Sequence, residues 1–465
     1  MKKLYTYCRQ RKFGINKKII LGLYMIMLFG SCESFLEVDL PQSQIVGDLI
    51  FEDPILAEGT LTNAYADLRE TFLDAYPMSV KLGYYVDEII PGGVYTIDDA
   101  LTNTMLPTSN NPFWSPGYKL IYQVNGIIEG IDNSANLETD LKNRIKGEAL
   151  FIKAITHFYL VNIYGAVPYI STTDYITNTT LFRTPVQEVY DNIIADLKES
   201  ESLLEDYSSG SEKIHVNKSV VKALLARVYL YNEQWQNAID ESTALINNPS
   251  FTIEPDLSKV FLANSTSTIM ALKSYDGGGA SEASAFYVPD AAGQFVMNHH
   301  LAYAFDTIND QRYSLWVGYE PDPLSPNSRK FYSAKYKDVQ ARTGPPENSI
   351  ILRIEEQYLI RSEARAQLGD ISGAQDDLNI IRNRVGLANT TAANLAELKE
   401  ALLNERNFEL FFEFGHRFFD LKRLGFIDAV LDPIKPNWDS FDALWPIPES
   451  EILVNPNLTQ NPGYE

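Results

Sequence analysis

Two long amphipathic runs, Lys218 to Ile246 and Glu355 to Val385, constrain the fold more than any other feature of the chain. Each breaks at a turn, near Asn232-Glu233 in the first and at Gly369-Asp370 in the second. Each also carries small residues twelve apart across the break, Ala226 with Ala238 and Ser362 with Ala374. Small side chains at that separation let the two helices of a hairpin touch closely, so each run reads as a helix, a turn and an antiparallel helix. Helical spacing recurs elsewhere. Asp53-Pro54 is a cap followed by proline at the first helical position, with Leu56, Leu61, Ala64, Tyr65 and Leu68 behind it. Tyr118, Ile121, Tyr122, Asn125 and Ile128 share a face; Leu141 to Tyr164 is a long run stopped by Gly165 and Pro168, and Pro185 to Leu204 is another. No clear series of alternating strands is present, which predicts a mainly α protein.

Helix pairs with small contact residues are the tetratricopeptide arrangement and supply a scaffold. Two regions without sustained periodicity interrupt it, about 83–116 and 247–349, with Pro91-Gly92-Gly93 and Asn110-Asn111-Pro112 in the first and Gly277-Gly278-Gly279 and Gly344-Pro345-Pro346 in the second. Irregular segments of such length are uncommon in a compact domain unless functional, and loops held on a rigid frame commonly carry binding residues. Tyr84, Tyr95 and Trp114 fall in the first, and Tyr287, Trp316 and Tyr319 in the second, together with Phe295 and His299. A tyrosine ring offers a flat apolar face and a hydroxyl, which suits a ligand that is polar yet hydrophobic-faced. With Asp87 and Asn298 as polar partners, the expected ligand-binding set is Tyr84, Asp87, Tyr95, Trp114, Tyr287, Asn298, Trp316 and Tyr319.

Ahead of this scaffold, Lys17-Lys18 lead into an 11-residue apolar run, Ile19 to Phe29, that stops at Gly30-Ser31-Cys32. A basic segment, an apolar run too short to span a bilayer and small residues before a cleavage point make a secretory signal. The cysteine at the cut makes it the lipoprotein variant, in which Cys32 is acylated and anchors the protein to a membrane. Residues 1–31 are then the signal peptide and 32–465 a single domain, with 32–53 as a tether. Cys8 leaves with the signal, so no thiol remains for a disulfide or a metal. The signal also holds seven basic residues and no acid, which takes the net charge from −22 to −29. Such a surface repels nucleic acid and anionic lipid, so contact with the membrane comes from acyl chains.

No catalytic constellation is legible. GxSxG, HExxH and Walker patterns are missing, and Gly277-Gly278-Gly279 lacks the Lys-Ser/Thr that would cradle phosphate. His299 and His300 are adjacent and point apart, so they chelate poorly. Acid pairs such as Asp98-Asp99 and Glu355-Glu356 could serve a glycosidase, but 61 acids guarantee chance pairs. A helix is expected over Asn404 to Gly425, with Glu413 pairing Arg417 and Arg417 pairing Asp420 in a structural ion network. The expectation is a protein that is not an enzyme and has no cofactor or metal; a surface glycosidase and a purely structural lid are the competing readings.

The segment Asn404-Glu405-Arg406-Asn407-Phe408-Glu409-Leu410-Phe411-Phe412-Glu413-Phe414-Gly415-His416-Arg417-Phe418-Phe419-Asp420-Leu421-Lys422-Arg423 resembles the late signature of the SusD/RagB-like outer-membrane lipoproteins. Leu444-Trp445-Pro446-Ile447-Pro448 and the stretch Asn455 to Tyr464 are similar to that family's closing motif. Trp114, Tyr118 and Asn125, Gly147-Glu148-Ala149, Gly165-Ala166-Val167-Pro168, Leu224 to Leu230, and Arg353 with Glu356 follow in the family's order. The resemblance implies four tetratricopeptide-like helix pairs and a large irregular, loop-rich binding face. It also implies a cell-surface, outer-membrane lipoprotein that caps a TonB-dependent SusC-like barrel and hands over oligosaccharide, or peptide in RagB-like members. These motifs belong to the scaffold and name no ligand residue.

Overall fold

The computed structural model describes residues 50–73, 78–91, 98–206, 212–273, 279–287, 295–322, 325–339 and 345–465. Cys32, the tether up to residue 49 and Tyr95 lie outside the described residues. Helix α1 (Pro54–Phe72) starts where Asp53 accepts from the amides of Ile55 and Leu56, and it buries Ala57, Leu61, Ala64, Leu68 and Phe72. It packs on the hairpin of α3 (Trp114–Asn133) and α4 (Thr139–Tyr164), α2 (Met78–Tyr85) lying between in sequence. From Gly147 to Tyr164 nearly every side chain of α4 is buried, because α5 (Val186–Leu203) covers its other flank. Gly165, at φ 73°, ends α4 in a conformation that a side chain would strain.

Both predicted hairpins form as read. α6 (Lys218–Tyr231) and α7 (Trp235–Ile246) turn at Asn232–Gln234, and Ala226 and Ala238 are wholly buried between them. The second hairpin, α10 (Ile354–Gln367) with α11 (Ile371–Arg384), turns at Gly369, φ 84°. There the Ser362 hydroxyl donates to the carbonyl of Ala374 at 2.6 Å, a direct contact between the small residues twelve apart. The interior is mainly helical and forms three apolar clusters, the largest running through α1, α3 to α6 and the C-terminal segment.

The expected helix over Asn404 to Gly425 is two helices, α12 (Leu395–Leu410) and α13 (His416–Leu424). Between them Phe412 and Phe414 take positive φ, 59° and 44°. Neighbouring phenylalanines here serve different cores: Phe411 and Phe412 enter one cluster and Phe414 another, which a straight helix could not arrange. The break also frees the carbonyls of Glu409 and Phe411, and the Lys335 ammonium donates to both at 2.8 Å. The expected ion pairs change accordingly. Glu413 binds Arg353 and Lys335, Arg417 binds Asp87, and Asp420 binds Arg406 and Arg423. The network is structural, as read, with partners drawn from distant segments.

The region 247–349 is more regular than its sequence suggests. β1 (Ile89–Pro91), β3 (Phe295–Met297), β4 (Val317–Asp322) and β5 (Ser325–Ser333) form a four-stranded antiparallel sheet in the order β1-β3-β5-β4. β2 (Thr268–Leu272) pairs with β6 (Ser349–Arg353), and all ten of their residues are buried. Strands hidden on both faces lose the alternation that marks a strand in sequence. Two short helices, α8 (His299–Thr307) and α9 (Gln311–Trp316), bridge β3 and β4.

The C-terminal segment is held against α4. Trp445 is fully buried against Tyr85 and Phe113, and its amide donates to Ile163 O at 2.9 Å. Asn461 donates to the carbonyls of Tyr164 and Trp445, while Arg183 donates to Thr459 O and to the Asn461 side chain. The family-like closing motif is therefore a packing device.

Candidate functional site

Stacking on a ligand requires an exposed ring face, and the structure denies one to three expected residues. Trp316 is 1% exposed, its indole N–H bound to Leu257 O and its ring against Phe261. Trp114, at the start of α3, is enclosed by Tyr118 and Tyr164. Tyr84 lies in α2, buried against Phe295. Two polar candidates are engaged elsewhere. Asp87 accepts both bonds of a forked pair from Arg417, at 2.9 and 2.7 Å, and Asn298 caps α8 by accepting from the His300 amide. Tyr287 is half-buried, edge-on to Tyr332.

Among the described members of the set, Tyr319 presents the most open ring, 49% exposed. Its surroundings make a site that sequence reasoning missed. The β4/β5 register sets Tyr319 opposite Phe331, and β3/β5 pairing sets Met297 there too, so Phe331 lies at the centre of the sheet and is fully buried. The cap at Asn298 starts α8 so that His299 and Tyr303, one turn apart, share a face. Tyr303, 51% exposed, packs edge-on against Phe331 at 5.4 Å and beside His299 at 6.2 Å. Tyr319 meets Phe331 at 6.2 Å. Two exposed tyrosines thus rest on one buried phenylalanine, with an imidazole alongside.

Arg329 completes the group. It sits diagonally across β5 from Tyr319, and its guanidinium lies over that ring at 4.3 Å. Its charge also acts on the Tyr313 hydroxyl of α9. Desolvation raises the Tyr313 hydroxyl above its ordinary pKa, the Asp306 charge adds to this, and Arg329 opposes both. The signal that could have found Tyr303 was the His299-x-x-x-Tyr303 spacing behind a capping asparagine.

A second concavity, of about 760 Å³, lies among Asp140, Arg144, Glu148, Glu205, Asp206 and His215. Buried Glu148 accepts from the Tyr65 hydroxyl, Arg144 and His215, and that contact raises the imidazole pKa. It offers carboxylates where the platform offers ring faces. Both acid pairs noted in the sequence are engaged: Asp98 with Lys81, Asp99 with Ser109, Glu355 with Arg384 and Ser267, and Glu356 with Arg227. Among the described residues no three His, Cys, Asp or Glu side chains are grouped to hold a metal.

These features define a class, a tetratricopeptide-like helical scaffold that carries an aromatic surface on an inserted sheet. A family model described as starch-binding associating with outer membrane matches residues 36–230, and that of the SusD family matches residues 323–464. The chain belongs to the SusD/RagB-like family. SusD-like protein P2 of Formosa agariphila is 28% identical over 76% of this chain and 80% of its own. The starch-binding protein SusD of Bacteroides thetaiotaomicron is 32% identical over 31% of this chain and 26% of its own. A solved laminarin binding SusD-like protein superposes with a TM-score of 0.76 at 23% identity, covering 88% of this chain and 99% of the other.

Proposed function

We propose that this protein is a non-catalytic surface lipoprotein that captures an oligosaccharide and passes it to a TonB-dependent SusC-like barrel in the outer membrane. The observation that carries the reading is the pair of half-exposed rings, Tyr303 and Tyr319, braced on buried Phe331. Flat apolar faces of this kind match the CH faces of sugar rings, while His299 and Arg329 supply donors for hydroxyls. Family membership and relatives named for starch and laminarin binding support the same reading. Acylated Cys32 supplies the attachment to the membrane; among the described residues no helix is long and apolar enough to cross one.

Calorimetry of the purified chain against a glycan panel that includes laminarin and starch oligosaccharides tests the site. Binding is expected in the micromolar to millimolar range, about 4–8 kcal/mol. Tyr303→Ala and Tyr319→Ala should each weaken it about tenfold, or about 1.4 kcal/mol. Undiminished affinity in both variants would remove the platform, and new reducing ends in the incubated glycan would remove the non-catalytic reading. For the anchor and partner, labelled palmitate should enter the wild type and not Cys32→Ser, and the labelled protein should co-purify with a large barrel in mild detergent. Label in the variant, or repeated isolation without a barrel, counts against this part.

A further inference from the structure

Arginine in this chain is almost always consumed by carboxylates. Eleven described arginines form ion pairs with Asp or Glu. Arg183 spends its donors on carbonyls and Asn461, and Arg69 is buried. Arg329 differs. It is exposed, and among the described residues its guanidinium lies over the Tyr319 ring, acts on the Tyr313 hydroxyl and forms no ion pair with a carboxylate. In a protein with 61 acidic and 39 basic residues, an arginine held at the surface without an acid is out of keeping with its siblings.

The neighbouring charges do not quench it. Glu320 stands opposite Lys330 in the β4/β5 register, and alternation turns that pair to the face away from Tyr319 and Arg329. Lys330 lies 3.7 Å from Asp322. Asp306 and Arg329 act on the Tyr313 hydroxyl in opposite directions, and among the described residues no ion pair joins the two. Held 4.3 Å from the Tyr319 ring centroid, the guanidinium keeps N–H groups that can meet an oxyanion in a forked pair.

We infer that the Tyr303–Tyr319 platform takes an anionic oligosaccharide, with the edge of Arg329 on the carboxylate or sulfate of a sugar ring stacked beside it. This rests on the platform reading of the proposed function. The net charge of −22 repels anions at long range, so discrimination arises by contact and weakens as salt is raised.

The experiment compares three probes of matched length on the purified chain: an oligogalacturonate, its carboxyl-reduced neutral counterpart, and a sulfated galactan oligosaccharide. At least one anionic probe should bind tenfold or more tighter than the neutral one, and which of the two does so identifies the oxyanion. Arg329→Gln should erase that preference, bringing the anionic probes down to the level of the neutral one measured on the same variant, and Arg329→Lys should restore part of it. Equal binding of all three probes by the wild type, or a preference that survives Arg329→Gln, overturns the inference. The platform itself is read separately through Tyr303→Ala. If that change weakens every probe, the platform stands whatever the charge preference; if it weakens none, platform and inference fall together.

Discussion

Arg227→Met is expected to destabilise the protein by about 3–5 kcal/mol, the usual cost of leaving one member of a buried ion pair alone. The Arg227 guanidinium meets Glu356 in a two-bond fork, at 2.7 and 2.6 Å, with both side chains at most 2% exposed. It also donates to Ile351 O at 3.1 Å, so one side chain joins α6 to α10 and to β6. Methionine keeps most of the volume and strands the carboxylate. Adding Glu356→Leu removes the stranded charge and should recover most of the loss, because the pair's attraction in part only offsets its own desolvation. Urea denaturation at pH 7 with an unchanged slope checks both variants. A double variant as unstable as the single one would mean that packing, and not the uncompensated charge, is responsible.

The second large effect is a dependence on pH. Glu88, in the turn between α2 and β1, is 2% exposed, and its carboxyl is pushed up to about 8. Desolvation is the main cause, followed by the charge of Asp87; Arg417, the Phe412 amide and Lys335 act in the opposite direction. The folded state therefore keeps a proton that the unfolded chain gives up near the ordinary carboxyl value of 4.5. Stability falls wherever the native state holds more protons, so Glu88 lowers it by about 1.4 kcal/mol per pH unit between about 4.5 and about 8. Glu88→Gln keeps the shape without the proton equilibrium. The variant should match the wild type at pH 4 and exceed it by several kcal/mol at pH 8.5. Buried His157, held down at about 3 by desolvation, gives an opposite slope in acid, but it is common to both proteins and cancels in the difference. A difference that stays flat across this range would show that Glu88 is ionised in the native state.

Helices were legible because their signals are local. Capping residues, spacing and breaks at Asn232-Glu233 and Gly369-Asp370 all act within a few positions, and the structure keeps them. The sheet was not, since β1 and β3 are three residues each and find one another across most of the binding region, while β2 and β6 are too buried to alternate. The break at Phe411–Gly415 was hidden because the phenylalanines on either side of it continue an apolar pattern, although their rings belong to separate cores. At the candidate site, composition pointed to aromatic residues without telling the enclosed rings from the exposed ones. Trp114 and Trp316 are the largest rings of the expected set, so burying them gains most, and they went inside. Tyr303 escaped notice because it lies on a helix whose other face, Leu301, Ala302 and Phe305, fills the core.

The clasp made by Trp445 and Asn461 has a temporal side. The Tyr85 hydroxyl donates to Asp442 O, 357 residues further along, and Trp445 fills the space beside Tyr85 and Phe113. Helices that leave the ribosome early are thus completed by residues made more than three hundred positions later, and a nascent chain that stops before Trp445 lacks the parts to close that core. Until then apolar surface stays uncovered, which places the molecule among those that depend on being shielded while they wait.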